Sequence, residues 1–311
     1  MSLNNSRPVN CLSFDIEEHF QVSAFASPMR RRHWEHFESR VEQNTFKILK
    51  QLSQKSVKAT FFVLGWVAER HPGLVRAIDA EGHEIASHGY AHEVITAQTT
   101  ASFREDVRKA KRILEDIVCK PVVGYRAPTF SITSETQWAL SVLVEEGYRY
   151  DSSIFPVVHD RYGVPGASPW SYEIRTVSGP LQEIPPSTFN LLGVRVPVAG
   201  GGYFRLFPYP VLRWMLKRVE ATGHPLVMYL HPWELDPQQP RMNGSRLSQF
   251  RHYLNLAKTE CRLAALLSDF RFAPIREVFR GVVAPNEARG MADMTGDVQV
   301  AGAAQLATLK R

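Results

Sequence analysis

Cys11-Leu12-Ser13-Phe14-Asp15-Ile16-Glu17-Glu18-His19 runs from a short apolar strand straight into four ionisable side chains. Residues 11–14 predict the first buried strand. Where that strand ends, Asp15 and Glu17 project to the same side, because side chains alternate with a period of two along extended chain. Two carboxylates facing one mouth can divide the work, one holding a metal and the other accepting a proton. The plain alternative is a solvated acidic turn, since most acidic side chains are exposed.

The pattern repeats outward from this stretch. Residues 41–51 predict a helix, with Phe46 and Leu49 on one face and Leu52 just beyond its end. The run 59–64 (ATFFVL) is β-branched and aromatic, so a second strand. A helix over 67–80 precedes Gly82, and a strand over 84–87 follows. Helix 103–118, strand 122–125, helix 135–146 and strand 148–151 continue the series. The stretch 154–210 is rich in Pro and Gly and predicts loops and hairpins, with a strand piece at 171–177. Helix 211–222, strand 226–230, one long helix over 247–268 and a last strand at 271–274 complete it. Strand–helix alternation of this kind argues for an α/β fold with a parallel sheet. We expect a distorted (β/α) barrel of seven parallel strands over residues 1–282, including an added C-terminal segment from about 200. A disordered tail is expected at 283–311, where the hydrophobic period is lost.

At 311 residues, 44% hydrophobic and 22% charged, the chain is rich enough in apolar residues for a sizeable core. Its net charge of +6 attracts anionic partners. No run of basic residues with interleaved aromatics points to nucleic acid, and Arg30-Arg31-Arg32 is followed by Glu35 and Glu38. The three cysteines, Cys11, Cys119 and Cys261, are far apart and odd in number, which suits a reducing compartment. Residues 1–10 lack an apolar h-region, and no run of about 18 apolar residues occurs. A cytoplasmic protein with no transmembrane segment is the expectation.

Three further clusters sit at predicted strand ends, the face on which barrel enzymes build their sites. In Ser87-His88-Gly89-Tyr90-Ala91-His92, two histidines four residues apart share a face if the segment is a helical turn. With a carboxylate from the first strand they form a two-His, one-carboxylate set that suits catalytic zinc and leaves a position for water. In Tyr125-Arg126-Ala127-Pro128, a fixed Arg126 beside carboxylates would hold Asp15 ionised and oriented. In Tyr229-Leu230-His231-Pro232-Trp233-Glu234, His231 leaves a hydrophobic strand and can donate a proton to a leaving amine. Asp151 and Ser152 are candidates to orient His231 or line the pocket. Gly200-Gly201-Gly202 lacks the Lys-Ser/Thr ending of a phosphate loop and reads as a flexible or close-approach loop near the substrate.

Taken in order, these clusters resemble the motifs of the polysaccharide deacetylase (NodB-like, carbohydrate esterase) family. Phe14-Asp15-Ile16-Glu17-Glu18 stands where that family has an aspartate pair. Ser87 to His92 stands for its two-histidine motif, Arg126-Ala127-Pro128 for its arginine motif, and Leu230-His231-Pro232-Trp233-Glu234 for its final Leu-x-His. A narrower similarity, to deacetylases of PEP-CTERM/exosortase exopolysaccharide loci, rests on three runs. They are Phe20-Gln21-Val22, Pro197-Val198-Ala199-Gly200-Gly201-Gly202-Tyr203-Phe204-Arg205 and Gln249-Phe250-Arg251-His252-Tyr253. Here the first motif is Asp-Ile-Glu-Glu instead of two adjacent aspartates, so either Glu17 or Glu18 stands as the carboxylate ligand, Glu17 by analogy with Asp-x-Asp relatives.

The resemblance implies a zinc-dependent hydrolase that removes N-acetyl groups from an amino-sugar polysaccharide or a lipid-linked precursor. Glu17, His88 and His92 would be metal ligands. Asp15, Arg126 and His231 would be catalytic, as base, positioner of the base and acid. Tyr90, Pro128, Asp151, Tyr203 and Trp233 are candidates for substrate contact. A cyclic-amide hydrolase on the same scaffold shares every motif. A glycosidase using Asp15 and a second carboxylate needs no histidine pair. A binding module with a decayed site completes the alternatives.

Overall fold

Residues 8–25 and 31–283 are described by the computed structural model; of the tail expected at 283–311, Val283 closes a short helix (Arg280–Val283) and the rest lies outside the described residues. Strand β1 (Asn10–Ile16) pairs in parallel with β2 (Thr60–Val63) on one side and β10 (Val227–Leu230) on the other. Beyond β2 follow β3 (Glu84–Ser87), β4 (Gly124–Tyr125), β5 (Tyr150–Asp151) and β7 (Gly179–Glu183), each parallel to its neighbour. The order β10-β1-β2-β3-β4-β5-β7 gives the seven parallel strands expected from the sequence. Strand β6 (Tyr172–Thr176) adds an antiparallel edge to β7, and β11 (Phe272–Ala273) pairs with the start of β1. Strands β8 (Thr188–Leu191) and β9 (Val194–Pro197) form a separate hairpin.

Alternation along each strand sorts the side chains. Leu12, Phe14, Phe61, Val63, Ile85 and Leu230 belong to the large core beneath the helices. Cys11, Phe62, Ala86, Tyr150 and Val227 form a smaller cluster with Ile184 and Ile275 inside the curl of the sheet. The period of two then carries Ser13, Asp15, His88, Arg126 and His231 to the inner side above that cluster. A distorted barrel is the result. Among the described residues no strand ladder joins β7 to β10. Three hydrogen bonds span the gap: Ser187 N to Val227 O (3.1 Å), Val227 N to Ser187 Oγ (2.8 Å) and Tyr229 N to Ala199 O (2.9 Å).

Several element boundaries differ from the sequence reading. The helix expected at 67–80 is two, Gly65–Arg70 and Pro72–Ala80, because Pro72 has no N–H to continue the first and opens the second instead. The helix expected at 247–268 also splits, into Arg246–Tyr253 and Leu256–Asp269, with Asn255 left-handed at φ 52° between them. The helix Val41–Gln54 contains Leu52 and buries Thr45, Ile48 and Leu49, while Phe46 lies on its exposed side. Cys11 is buried, Cys119 and Cys261 are exposed, and all three are free thiols.

Of the triple glycine, Gly200 is a close-approach residue and Gly201–Leu206 is a helix. A β-carbon on Gly200 would stand 1.7 Å from the Tyr229 carbonyl oxygen. Gly200→Ala must therefore push the chain off β10 at one of the points that span the gap. It is expected to cost more than about 1 kcal/mol, read as a lowered denaturant midpoint with unchanged slope.

Candidate active site

Four strand ends and one loop build the site. From β1 come Asp15 and, just past its end, Glu17. Both face His231 at the end of β10, whose Nε2 lies 3.8 Å from Asp15 Oδ2 and 3.7 Å from Glu17 Oε1. Glu18 turns the other way. Its carboxylate accepts hydrogen bonds from Ser39 Oγ and the backbone N–H groups of Arg40 and Val41, and so caps the helix Val41–Gln54. Of the two candidate carboxylates, only Glu17 faces the histidines.

His88 and His92 do meet, with ring centroids 5.3 Å apart, but not on a helical turn. The chain from 88 to 92 is a loop, bent by left-handed Gly89 (φ 75°) and His92 (φ 48°). His88 Nδ1 donates to the Arg126 carbonyl oxygen at 2.8 Å, which leaves Nε2 as the bare nitrogen. Asp106, from the helix Thr100–Val118, accepts from Tyr90 N and Ala91 N and pins the loop.

Glu17 Oε2 lies 2.6 Å from His92 Nε2 and 4.0 Å from His88 Nε2. One donor atom from each of Glu17, His88 and His92 falls within 4.8 Å of the others, and all three residues are buried. Oε2 is a buried carboxylate oxygen with no aligned hydrogen-bond donor, and burying such an atom is costly unless something satisfies it. Burial alone would raise the Glu17 carboxyl; the imidazoles of His92, His231 and His88 outweigh it and hold it well below the usual range. Burial takes the His88 imidazole down to about 4, so it is neutral and able to ligate. Two imidazole nitrogens and one carboxylate are a donor set that fits a divalent transition metal.

Arg126 is fully buried on the inner side of the sheet. Its Nη1 donates to Asp15 Oδ1 (2.7 Å) and Ser13 Oγ (2.8 Å), Nη2 to Ser152 Oγ (2.9 Å) and Nε to Ser152 O (3.2 Å). The guanidinium lies over the Phe62 ring, 4.1 Å from its centroid. Asp15 is thus fixed by a buried guanidinium whose own orientation is set by four hydrogen bonds.

Asp151 does not orient His231. It is buried beside Glu183 and accepts from Ser153 Oγ, and burial raises both carboxyls, Asp151 to about 6. Its side chain is fully buried. Glu234 takes the orienting part, three residues after the histidine: its Oε1 accepts from His231 Nδ1 at 2.7 Å. Burial alone would lower His231, but the hydrogen bond to Glu234 and the charges of Glu17 and Asp15 raise it to about 9. Arg205 Nε donates to the other Glu234 oxygen at 2.6 Å. The rest of the Arg205 fork donates to the carbonyls of Arg251, His252 and Leu254, which the break between the last two long helices leaves free.

The substrate-contact candidates scatter. Trp233 donates from Nε1 to Glu17 Oε1 (2.9 Å) and stacks between His231 and His252. Tyr203 and Trp233 line one cavity of about 390 Å³ with Tyr162, Tyr229 and Thr129. Pro128 is buried in the turn after Arg126. Tyr90 points to the outer helices, donating to Glu69 and lying under Lys109, and does not face the metal-ligand set. Glu234 and Arg205 went unassigned because a carboxylate three residues after a histidine, and an arginine 29 residues away, carry no spacing signal.

A family model described as polysaccharide deacetylase matches residues 30–150, and a domain of unknown function matches residues 152–280. The chain is 41% identical over 86 residues to a peptidoglycan-N-acetylglucosamine deacetylase of Bacillus cereus, which is 28% of this chain and 29% of that protein. A solved structure from Mycobacterium smegmatis, described as a polysaccharide deacetylase, superposes with a TM-score of 0.59 at 19% identity, covering 98% of this chain and 97% of that one. An allantoinase superposes with a TM-score of 0.58 at 18% identity, covering 90% and 91%. At these identities the two structures share the fold.

The opposite facings of Glu17 and Glu18 can be separated by measurement. Glu17→Ala is expected to abolish stoichiometric metal binding. Glu18→Ala is expected to keep it and to lose about 0.5–2 kcal/mol of stability, as the loss of a helix cap does. Elemental analysis and thermal melts of the two variants check both.

Proposed function

We propose that this chain, which carries a polysaccharide deacetylase domain, is a metal-dependent hydrolase that removes N-acetyl groups from an amino-sugar glycan. The observation that carries the reading is the convergence on one three-ligand set of a carboxylate and an imidazole, each held by a partner of opposite charge. Asp15 is held as a base by Arg126, and His231 is held as an acid by Glu234.

Glu17, His88 and His92 would hold the cation, zinc by preference of a two-nitrogen, one-carboxylate set. When bound, it supplies an activated water and polarises the amide carbonyl. Asp15 Oδ2, the oxygen not bonded to Arg126, takes the proton of the attacking water. His231 Nε2 delivers a proton to the departing amine, with Nδ1 engaged by Glu234. Products are acetate and a free amino sugar. Trp233 holds Glu17 in place through its indole N–H and walls the mouth.

The cavity beside Trp233 is lined by Tyr162, Tyr203 and Tyr229, which supports a glycan longer than the reacting unit. An exopolysaccharide under assembly in the cytoplasm is the substrate we favour, on the three sequence runs described above and the three free thiols.

Purified protein should contain about one metal per chain, as a single three-ligand site requires, and release acetate from N-acetylated oligosaccharides in a chelator-sensitive way. Bound metal with no acetate release from any N-acetylated glycan would overturn the substrate assignment. Asp15→Asn and His231→Ala should each retain metal and lose at least about a hundredfold in kcat, the share of a positioned acid or base. Glu234→Gln should also retain metal, and should lower kcat by about tenfold or more as an outer-shell partner does, measured under saturating substrate.

A further inference from the structure

The β8–β9 hairpin ends in Leu191-Leu192-Gly193-Val194. Large aliphatic side chains are poor choices for a turn in water. Leu192 is 97% exposed, and Leu191 and Val194 are also exposed. Leu192 moreover holds φ at 52°, the left-handed region where Asn or Gly is favoured and a branched aliphatic is strained. Leu192 therefore costs energy both in backbone and in hydration, and its side chain is presented to whatever lies outside the fold.

The hairpin lies beside the helix Tyr209–Glu220, where Phe189 meets Trp214 edge-on at 5.4 Å. Val211, Trp214 and Arg218 recur on one face of that helix. Val211 and the half-exposed Trp214 are open to solvent, and Arg218 stands 5.7 Å from the Trp214 ring. Hairpin and helix together carry Arg195, Arg213, Lys217 and Arg218 against one carboxylate, Glu220. Glu220 is answered by Lys217, and Arg213 by Asp269. Among the described residues no acidic group pairs with Arg195 or Arg218.

From this placement we propose that the hairpin tip and the Val211/Trp214 face dock the protein on an anionic lipid surface. The tip is convex and aliphatic, so it can enter the acyl boundary. Tryptophan and arginine sit behind it, where an interface offers both an apolar body and phosphates. A second copy fits worse, because a two-fold pairing of this patch sets its cations against one another. Among the described residues no helix is long and apolar enough to cross a membrane, and the proposed contact is made by the surface of the fold. The proposal is independent of the reaction at Asp15 and His231.

The test is co-sedimentation of the full chain with vesicles containing about one-third phosphatidylglycerol, against vesicles of phosphatidylcholine alone. The full chain should pellet with the anionic vesicles and release with salt. Leu192→Asn suits the left-handed turn, so it should keep or raise the melting temperature while cutting the bound fraction at least tenfold. Arg218→Ala should weaken partitioning about fivefold, the worth of one basic residue near the surface. Absence of vesicle binding by the full chain overturns the proposal, as does unchanged binding by Leu192→Asn. A dimer in solution that Leu192→Asn dissociates, with no vesicle binding, assigns the patch to a second copy instead.

Discussion

A guanidinium sealed inside the curl of a sheet is the constraint around which this molecule is arranged. Arg126 has no water to fall back on, so every donor on it must find an acceptor within the fold. Ser13 and Asp15 from β1, and both the hydroxyl and the carbonyl of Ser152 after β5, supply them. These acceptors lie on strands separated by β2, β3 and β4 in the sheet order. Their convergence on one side chain ties the sheet across its concave side and fixes Asp15, the proposed base, at the same time. The carbonyl of the same residue sets the tautomer of His88. Asp15 and His88 are thus registered to one another through a single position just past the end of β4.

The division between site and scaffold follows strand parity. On β1 the outward set, Leu12, Phe14 and Ile16, packs under helices, while the inward set passes from Cys11 through Ser13 to Asp15 and on to Glu17. Glu18 falls on the other parity and holds the helix Val41–Gln54 by its first turn. Two adjacent carboxylates therefore have unrelated physical surroundings: one is surrounded by imidazoles, the other by backbone N–H groups.

Parity is why much of this was legible in the sequence. The seven parallel strands, the shared facing of Asp15 and Glu17, and the placement of Arg126 and His231 at strand ends all follow from short-range alternation. Features that depend on a long-range partner were not legible. The histidine pair required a loop with left-handed Gly89 and His92, a conformation that spacing does not report. Asp151 was a reasonable partner for His231 by position, but its strand parity turns it towards Glu183 instead. Glu234 took its place, and it is held there by an arginine that reaches into a helix break which hydrophobic periodicity reads as continuous.

That break has a consequence for how such a chain can be divided. The helix ending at Tyr253 leaves carbonyls that Arg205 gathers, Arg205 holds Glu234, and Glu234 holds His231. Strands β7 and β10 complete the sheet that β1 to β5 begin. The segment 152–280 is therefore not an appendage to the segment 30–150, although separate family models describe them. A junction near residue 151 would part Asp15, the proposed proton acceptor, from His231, the proposed donor, and leave β5 with a bare edge. The two segments form one folded unit, and replacing the later one would remove His231 together with the Glu234 and Arg205 that support it.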